Sequence, residues 1–210
     1  MEDPNPKVLG MGIRKLQECG IQVHIGLLRE ETEWLNRGYI KLITTGKPWV
    51  IAKVAQSENY FLGVNSKSTT NITGEQAKRH SHELRSNVDA IMVGRQTALI
   101  DNPRLTVRKV IGPNPIRVIL DTNRLLPQDL NVYTDNQADT ITICSNEKFQ
   151  NSRVSSCEYF VCKEDSSGFL DPLNILELLG KIGITTLLIE GGAKTIKSFM
   201  KILILLKKNH

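Results

Sequence analysis

A short apolar run, Ala90-Ile91-Met92-Val93, stops at Gly94, and the residues beyond it carry groups that could do chemistry. They are the hydroxyl of Thr97, the carboxylate of Asp101, a turn at Asn102-Pro103 and the guanidinium that ends Leu105-Thr106-Val107-Arg108. The run predicts a buried strand that delivers the chain to the C-terminal edge of a sheet, where open α/β sheets bind ligands. A loop bearing Thr97 and Asp101, followed by an extended segment ending in Arg108, suits a phosphorylated, hydroxyl-rich small molecule. Other candidates stand at the ends of other elements. Lys53 lies near the end of the strand-like run 49–54, where a lysine either reaches for solvent or faces a site. Arg85 closes a predicted helix just before the central strand, and either offsets the helix dipole or meets a phosphate. Glu190-Gly191-Gly192-Ala193 links a strand to a helix and offers open backbone N–H groups to a phosphate, although a plain tight turn has the same glycines.

The elements that must position these groups follow from periodicity and punctuation. A helix is predicted over residues 72–85, with Thr73 as cap, Gln76 completing a capping box and Ile72 stapled to Ala77. His80 and His82, two apart on that helix, fall on different faces, are poorly spaced for a metal, and are expected to be solvated. Strands are predicted at 115–120, ending at Asp121-Thr122-Asn123, at 140–144 and at 185–189, and a helix at 172–179. Alternating strands and helices indicate an α/β domain. In the opening segment, residues 13–19 read as a helix closed by Gly20, 21–25 as an alternating strand and 30–39 as a second helix. Residues 1–36 hold too few apolar side chains for a core of their own and read as the end of another domain.

Composition narrows the class. The 210 residues are 40% hydrophobic and 23% charged, ordinary globular values. The net charge of +5 is spread along the chain and aromatics make up only 5%, which does not indicate a nucleic-acid partner. Cys19, Cys144, Cys157 and Cys162 form no C-x-x-C pair, so neither a zinc ribbon nor a disulfide framework is expected, and reduced thiols in the cytoplasm are the default. No signal peptide is expected at the N-terminus, and the apolar tail 199–206, interrupted by Lys201, is too short to span a bilayer. Gly46-Lys47-Pro48 lacks the hydroxyl residue and upstream glycine spacing of a P-loop.

Taken together, Asp3-Pro4-Asn5-Pro6, Leu35-Asn36-Arg37-Gly38, Ile72-Thr73-Gly74, Leu84-Arg85, Asp89-Ala90-Ile91-Met92-Val93-Gly94, the segment from Asp101 to Arg108, Pro115-Ile116-Arg117-Val118-Ile119-Leu120-Asp121 and Glu190-Gly191-Gly192 resemble the bifunctional riboflavin-biosynthesis deaminase/reductase family in order and spacing. The resemblance covers roughly residues 1–199. It implies that residues 1–40 are a cytidine-deaminase-like remnant and residues 47–210 most of a reductase domain. That domain would be α/β, a dihydrofolate-reductase-like mixed sheet flanked by helices with its C-terminal strands missing. The implied reaction is NADPH-dependent reduction of the ribosyl group of 5-amino-6-(5-phosphoribosylamino)uracil to its ribityl form.

Carried over position by position, the resemblance implies that Thr69, Arg85, Leu105, Arg108 and Glu190 contact the phosphorylated pyrimidine substrate, with both arginines forking its phosphate. It implies an NADPH site at Ala55, Asn71, Thr97, Asp101, Thr122, Gly192, Ala193, Lys194, Thr195, Ile196, Lys197 and Ser198. Lys53, Asp101 and Glu190 are the candidate catalytic groups near the reacting carbon. The departures bear on activity. Ser57-Glu58-Asn59-Tyr60 and Thr69-Thr70-Asn71 replace family residues on the cofactor side, and the pattern is lost after Phe199. The alternative reading is an inactive remnant that at most binds nucleotides or partners. In either reading the apolar stretch at 199–206, beside a sheet edge left open by the missing strands, is expected either to pack onto the exposed sheet or to drive self-association, and patch and edge together favour association.

The His-x-Glu and Pro-Cys-x-x-Cys segments that hold zinc in this family's deaminase half do not occur in these residues. The purified chain is therefore expected to release no ammonia from the diaminopyrimidine precursor and to carry no stoichiometric zinc by elemental analysis. Deaminase turnover with bound metal would contradict this.

Overall fold

The computed structural model describes residues 1–54, 74–146 and 157–207. Three helices open the chain, α1 (Met11–Glu18), α2 (Arg29–Leu35) and α3 (Arg37–Thr45), and lead into β1 (Trp49–Lys53). There follow α4 (Glu75–Ser86), β2 (Ala90–Gly94), α5 (Arg95–Asp101), β3 (Ile116–Leu120), a short α6 (Asn131–Thr134), β4 (Thr140–Ser145), β5 (Cys157–Cys162), α7 (Pro172–Lys181), β6 (Thr186–Glu190) and α8 (Ala193–Lys207).

The six strands form one sheet in the order β1-β6-β2-β3-β4-β5. Every pairing among them is parallel, where the resemblance leads one to expect a mixed sheet. A parallel sheet buries both faces under its crossovers, which explains the continuous apolar runs of the inner strands. Alternate residues sort into two layers. Ala90, Met92, Val118, Leu187 and Ile189 pack with Ile175, Leu176 and Leu179 of α7 and with Ile196 and Phe199 of α8. Ile91, Val93, Ile119 and Leu188 pack on the other face, with Ala98 of α5, Val132 and Tyr133 of α6, and Leu84 of α4. The helix expected over 172–179 is well signalled: the Asp171 side chain accepts the Leu173 N–H and Pro172 stands at its first position.

Asp89 fixes where β6 enters the sheet. Its Oδ2 accepts from the N–H and hydroxyl of Thr185 at 2.8 and 2.6 Å and from the N–H of Thr186 at 2.9 Å. Its own N–H donates to the Thr186 hydroxyl at 2.9 Å. The start of β2 and the start of β6 are thereby clamped in register, Ala90 beside Leu187. A second polar knot lies in the core of the other half. Arg117 of β3, 1% exposed, pairs with Asp135 at 2.7 Å and donates to the Thr140 hydroxyl at 2.9 Å and the Arg104 carbonyl at 3.3 Å.

Several local expectations are corrected. Residues 21–25 form no strand, because no neighbouring strand pairs with them. The helix expected at 30–39 is two helices, broken at Asn36, which ends α2 and opens α3. Thr97 and Asp101 belong to a helix, α5, rather than a loop. Leu105 is not extended but left-handed, with φ +56°. Helix α4 starts at Glu75 with Gly74 at its cap and no side-chain cap bond, while Ile72 and Thr73 lie outside the described residues. Neither α1 nor α2 contains a buried residue. They are tied to the sheet through Trp34, edge-on to Trp49 at 6.2 Å with Arg37 stacked over its ring at 4.3 Å, and through the Tyr39 hydroxyl, which donates to Asp3 at 2.9 Å.

Burial works to raise the pKa of Asp89, but the hydrogen bonds from Thr185 and Thr186 together outweigh it and hold the carboxyl below the usual carboxylate range. A carboxyl with a depressed folded-state pKa stabilises above its unfolded value and loses that contribution as pH falls. Asp89→Ala should therefore cost about 1–2 kcal/mol in urea unfolding at neutral pH, and the gap to the parent should narrow below about pH 4. A gap independent of pH would show that the clamp does not act through the ionised carboxylate.

Candidate active site

Because β6 lies between β1 and β2, three strand ends far apart in sequence meet at the C-terminal edge of the sheet. Lys53 pairs in register with Glu190, and Met92 with Ile189. In a parallel pair, registered residues point to the same face, so Lys53 and Glu190 stand side by side on the face that carries α4. A cleft of about 240 Å³ opens there, lined by Lys53, Val54, Arg85, Val93, Thr97, Asp101, Pro103, Leu105, Glu190, Gly191, Gly192, Ala193 and Ile196.

Nine of the fifteen candidates that fall within the described residues line this cleft. Thr97 and Asp101 both line it because they are i and i+4 on α5 and so share a face. Leu105, 3% exposed, closes one wall. Arg108 does not line the cleft but lies beside it, its guanidinium close enough to Arg85 and Arg104 to feel both charges. Of the predicted cofactor group, Gly192, Ala193 and Ile196 line the cleft, whereas Lys194, Thr195, Lys197 and Ser198 are not among its lining residues. Lys194 and Lys197 are exposed on α8, and the Ser198 hydroxyl donates to the Thr195 carbonyl of the same helix. Ile196 also belongs to the apolar core. Thr122 follows the end of β3, two strands from β6, and its carbonyl accepts the Ser145 N–H at 3.0 Å. Ala55, Thr69 and Asn71 lie outside the described residues.

The electrostatics of the site begin with one ion pair. Arg85 Nε donates to Glu190 Oε1 at 3.0 Å and Nη2 to Oε2 at 2.7 Å, while Nη1 donates to the Thr106 carbonyl at 3.1 Å. Both side chains are nearly buried, at 13% and 9% exposure. The fork that the sequence reading assigns to a phosphate is thus closed on Glu190. Glu190 in turn keeps only its outward lone pairs for a ligand. Among the described residues, no ion pair engages Arg104 or Arg108 beside the cleft, nor Lys53 and Asp101 of its lining. Burial, then the nearby Arg85 and Arg104, lowers the pKa of Arg108, with Asp135 opposing.

The Asp101–Arg108 segment is held at many points. Asn131 binds Asn102 twice, its N–H to Oδ1 at 2.8 Å and its Nδ2 to the carbonyl at 2.7 Å. Asn114 Oδ1 accepts the Val107 N–H at 2.7 Å. His82, expected to be solvated, is 5% exposed, and its Nδ1 accepts the Arg108 N–H at 3.1 Å. Its two-residue offset from exposed His80 is the reason: the same spacing that rules out a shared face points one ring inward. Spacing of His82 three before Arg85 was the available signal, since i and i+3 share a face. Among the described residues, no group of three or more His, Cys, Asp or Glu is placed to hold a metal, and no helix is long and apolar enough to cross a membrane.

The β6–α8 turn fits a phosphate-bearing cofactor. Gly191 and Gly192 have φ of +76° and +73°, and a Cβ on Gly191 would come within 2.9 Å of Thr97. Only glycine leaves this backbone both left-handed and open at the N-terminus of α8.

The model of the RibD C-terminal domain matches residues 48–202. The riboflavin biosynthesis protein RibD of Aquifex aeolicus is 35% identical over 202 residues, covering 95% of this chain and 55% of its own. Among solved structures, a diaminohydroxyphosphoribosylaminopyrimidine deaminase/5-amino-6-(5-phosphoribosylamino)uracil reductase from Thermotoga maritima superposes with a TM-score of 0.82 at 32% identity, over 95% of this chain and 54% of that one. RibD of Acinetobacter baumannii gives 0.81 at 28% identity, over 95% and 55%. The chain spans about half the length of these relatives. Its sheet and flanking helices are those of their reductase half, with its dihydrofolate-reductase-like fold. On the family model that runs through most of its length, the chain belongs to the RibD C-terminal domain family.

Proposed function

We propose that this chain is a reductase of riboflavin biosynthesis, and that it converts the ribosyl group of 5-amino-6-(5-phosphoribosylamino)uracil to the ribityl form with NADPH. The observation that carries the reading is the rim of the cleft. Arg108 and Arg104 stand without an ion-pair partner among the described residues, beside an Arg85 already neutralised by Glu190. Such a rim binds a phosphate monoester, and the cleft behind it carries Lys53, Asp101 and Glu190 for a hydroxyl-rich sugar. Family membership supports the reaction class, and a relative superposed along nearly all of this chain carries the uracil reductase name.

Gly192, Ala193 and the N-terminus of α8 would hold the cofactor pyrophosphate, with Thr97 and Asp101 on the adjoining wall. NADPH bound there would supply the hydride. The protein's own part is placement. Glu190, locked by Arg85, offers lone pairs in a fixed direction to sugar hydroxyls, and Lys53 beside it brings a cation to the oxygen of the carbon being reduced. Leu105 and Val93 make the apolar walls that limit water.

Residues 1–40 we assign to the end of a deaminase-type domain and 47–210 to the reductase. The family model begins only at residue 48, yet the two-activity relative matches 95% of the chain. The exposed apolar side chains before β1, Leu27, Leu28, Trp34 and Leu35 among them, suit a segment made to pack against more protein.

Incubating the purified chain with NADPH and the phosphoribosylamino-pyrimidine, and following the nicotinamide absorbance, tests the reaction. Substrate-dependent oxidation is the expected result; a folded chain that neither binds nor oxidises NADPH would favour the inactive remnant. Arg108→Ala should cost about 2–4 kcal/mol of substrate binding, seen as a raised KM, and leave NADPH affinity little changed. Loss of NADPH binding with substrate affinity retained would reverse the two sites.

A further inference from the structure

His82 is used by nothing in the reaction just described, yet it is one of the few buried polar side chains and stands one turn before Arg85 on α4. The two side chains hold the same short segment. Arg85 Nη1 donates to the Thr106 carbonyl at 3.1 Å, and His82 Nδ1 accepts the Arg108 N–H at 3.1 Å. Helix α4 thus grips residues 106–108 at two backbone points with side chains. Between those points, Asn114 takes the Val107 N–H. Among the described residues, no other acceptor meets the Arg108 N–H.

We propose that His82, as the neutral imidazole, is a positioning residue that sets Arg108 for the anionic group of the substrate, and that its protonation releases Arg108. The proposal rests on the reading of Arg108 given above. A backbone N–H is always a donor, so Nδ1 must be bare and the ring hydrogen must sit on Nε2. Protonation would put a hydrogen on Nδ1 and turn the acceptor into a second donor facing the first. It would also add a charge where cations already prevail. The charged groups facing the ring are Arg85 on its own helix, Arg108 and Lys109 from the gripped segment, and Glu190 from β6. Burial, followed by Arg85 and Arg108, holds the imidazole below its usual range, with Glu190 opposing. The neutral form is thus the form the fold maintains, and it is lost only as pH falls through a range below that of an ordinary histidine.

Kinetics of the full chain, the H82L and H82N variants, and hydrogen exchange at the Arg108 amide test this. Leucine fills the space without an acceptor, whereas asparagine places Oδ1 near the position of Nδ1 and does not titrate. H82L should raise the KM for the phosphoribosylamino-pyrimidine about tenfold at neutral pH, leave the KM for NADPH unchanged and speed exchange of the Arg108 amide. H82N should restore KM and exchange protection. The parent's KM should rise on the acid side more steeply than that of H82N, in which the imidazole no longer titrates. Unchanged Arg108 exchange in folded H82L, or acid profiles of the parent and H82N that coincide, would overturn the proposal. If H82L does not fold, the comparison of the parent with H82N decides alone. If the parent shows no turnover, exchange in the absence of substrate still reads the grip: faster exchange in H82L sustains the hold on Arg108 while refuting the assigned reaction.

Discussion

The structure depends on the insertion of β6 between β1 and β2. A parallel strand entering between two others must find its register without a hairpin to guide it, because its partners in the sheet are distant in sequence. Asp89 supplies that guide, binding Thr185 and Thr186 through one carboxylate oxygen and its own N–H. A slip of one residue would turn Leu187 and Ile189 to the wrong layer and carry Glu190 away from both Lys53 and Arg85. The same contacts that order the sheet therefore assemble the site.

A second theme is that side chains hold the backbone where no strand is available to do so. The segment between α5 and β3 contains residues of the cleft wall and Arg108, yet it joins no sheet. Its polar backbone groups need partners all the same. Arg117 reaches the carbonyl of Arg104, Arg85 that of Thr106, Asn114 the N–H of Val107 and His82 that of Arg108. Leu105, left-handed and buried, sits inside this frame, and a non-glycine residue holds that conformation only where its surroundings enforce it. A pre-formed wall of this kind lets a ligand bind without first ordering the loop, which saves affinity.

Charge is partitioned in the same economical manner. Arg85 neutralises Glu190 in a nearly buried pair, and Arg117 neutralises Asp135 in the core. Removing one partner from either pair would strand a charge, at a cost of about 3–5 kcal/mol. With those cations committed, Arg104 and Arg108 beside the cleft stand outside any ion pair among the described residues.

Some of this was determined by the residues in order. Ala90–Gly94 reads as a buried strand because its apolar run is unbroken, and Thr186–Glu190 followed by Gly191-Gly192 reads as a strand handing over to a helix. The convergence of Lys53, Thr97, Asp101, Arg85, Leu105 and Glu190 on one cleft was legible from strand-end position and from resemblance. Periodicity, however, is a local signal, and what it lacked was partners. Residues 21–25 alternate like a strand but find no neighbour to pair with, and β5 was missed because Cys157–Cys162 has little contrast between its faces until β4 lies beside it. Arg85 looked like a free fork for phosphate because Glu190, 105 residues away, could not be seen to close it. His82 looked solvated because its acceptor role exists only once the Arg108 N–H arrives from another segment. Spacing determines which face of an element a group occupies; only the tertiary structure decides what that face meets, since burial and pairing are relations between segments.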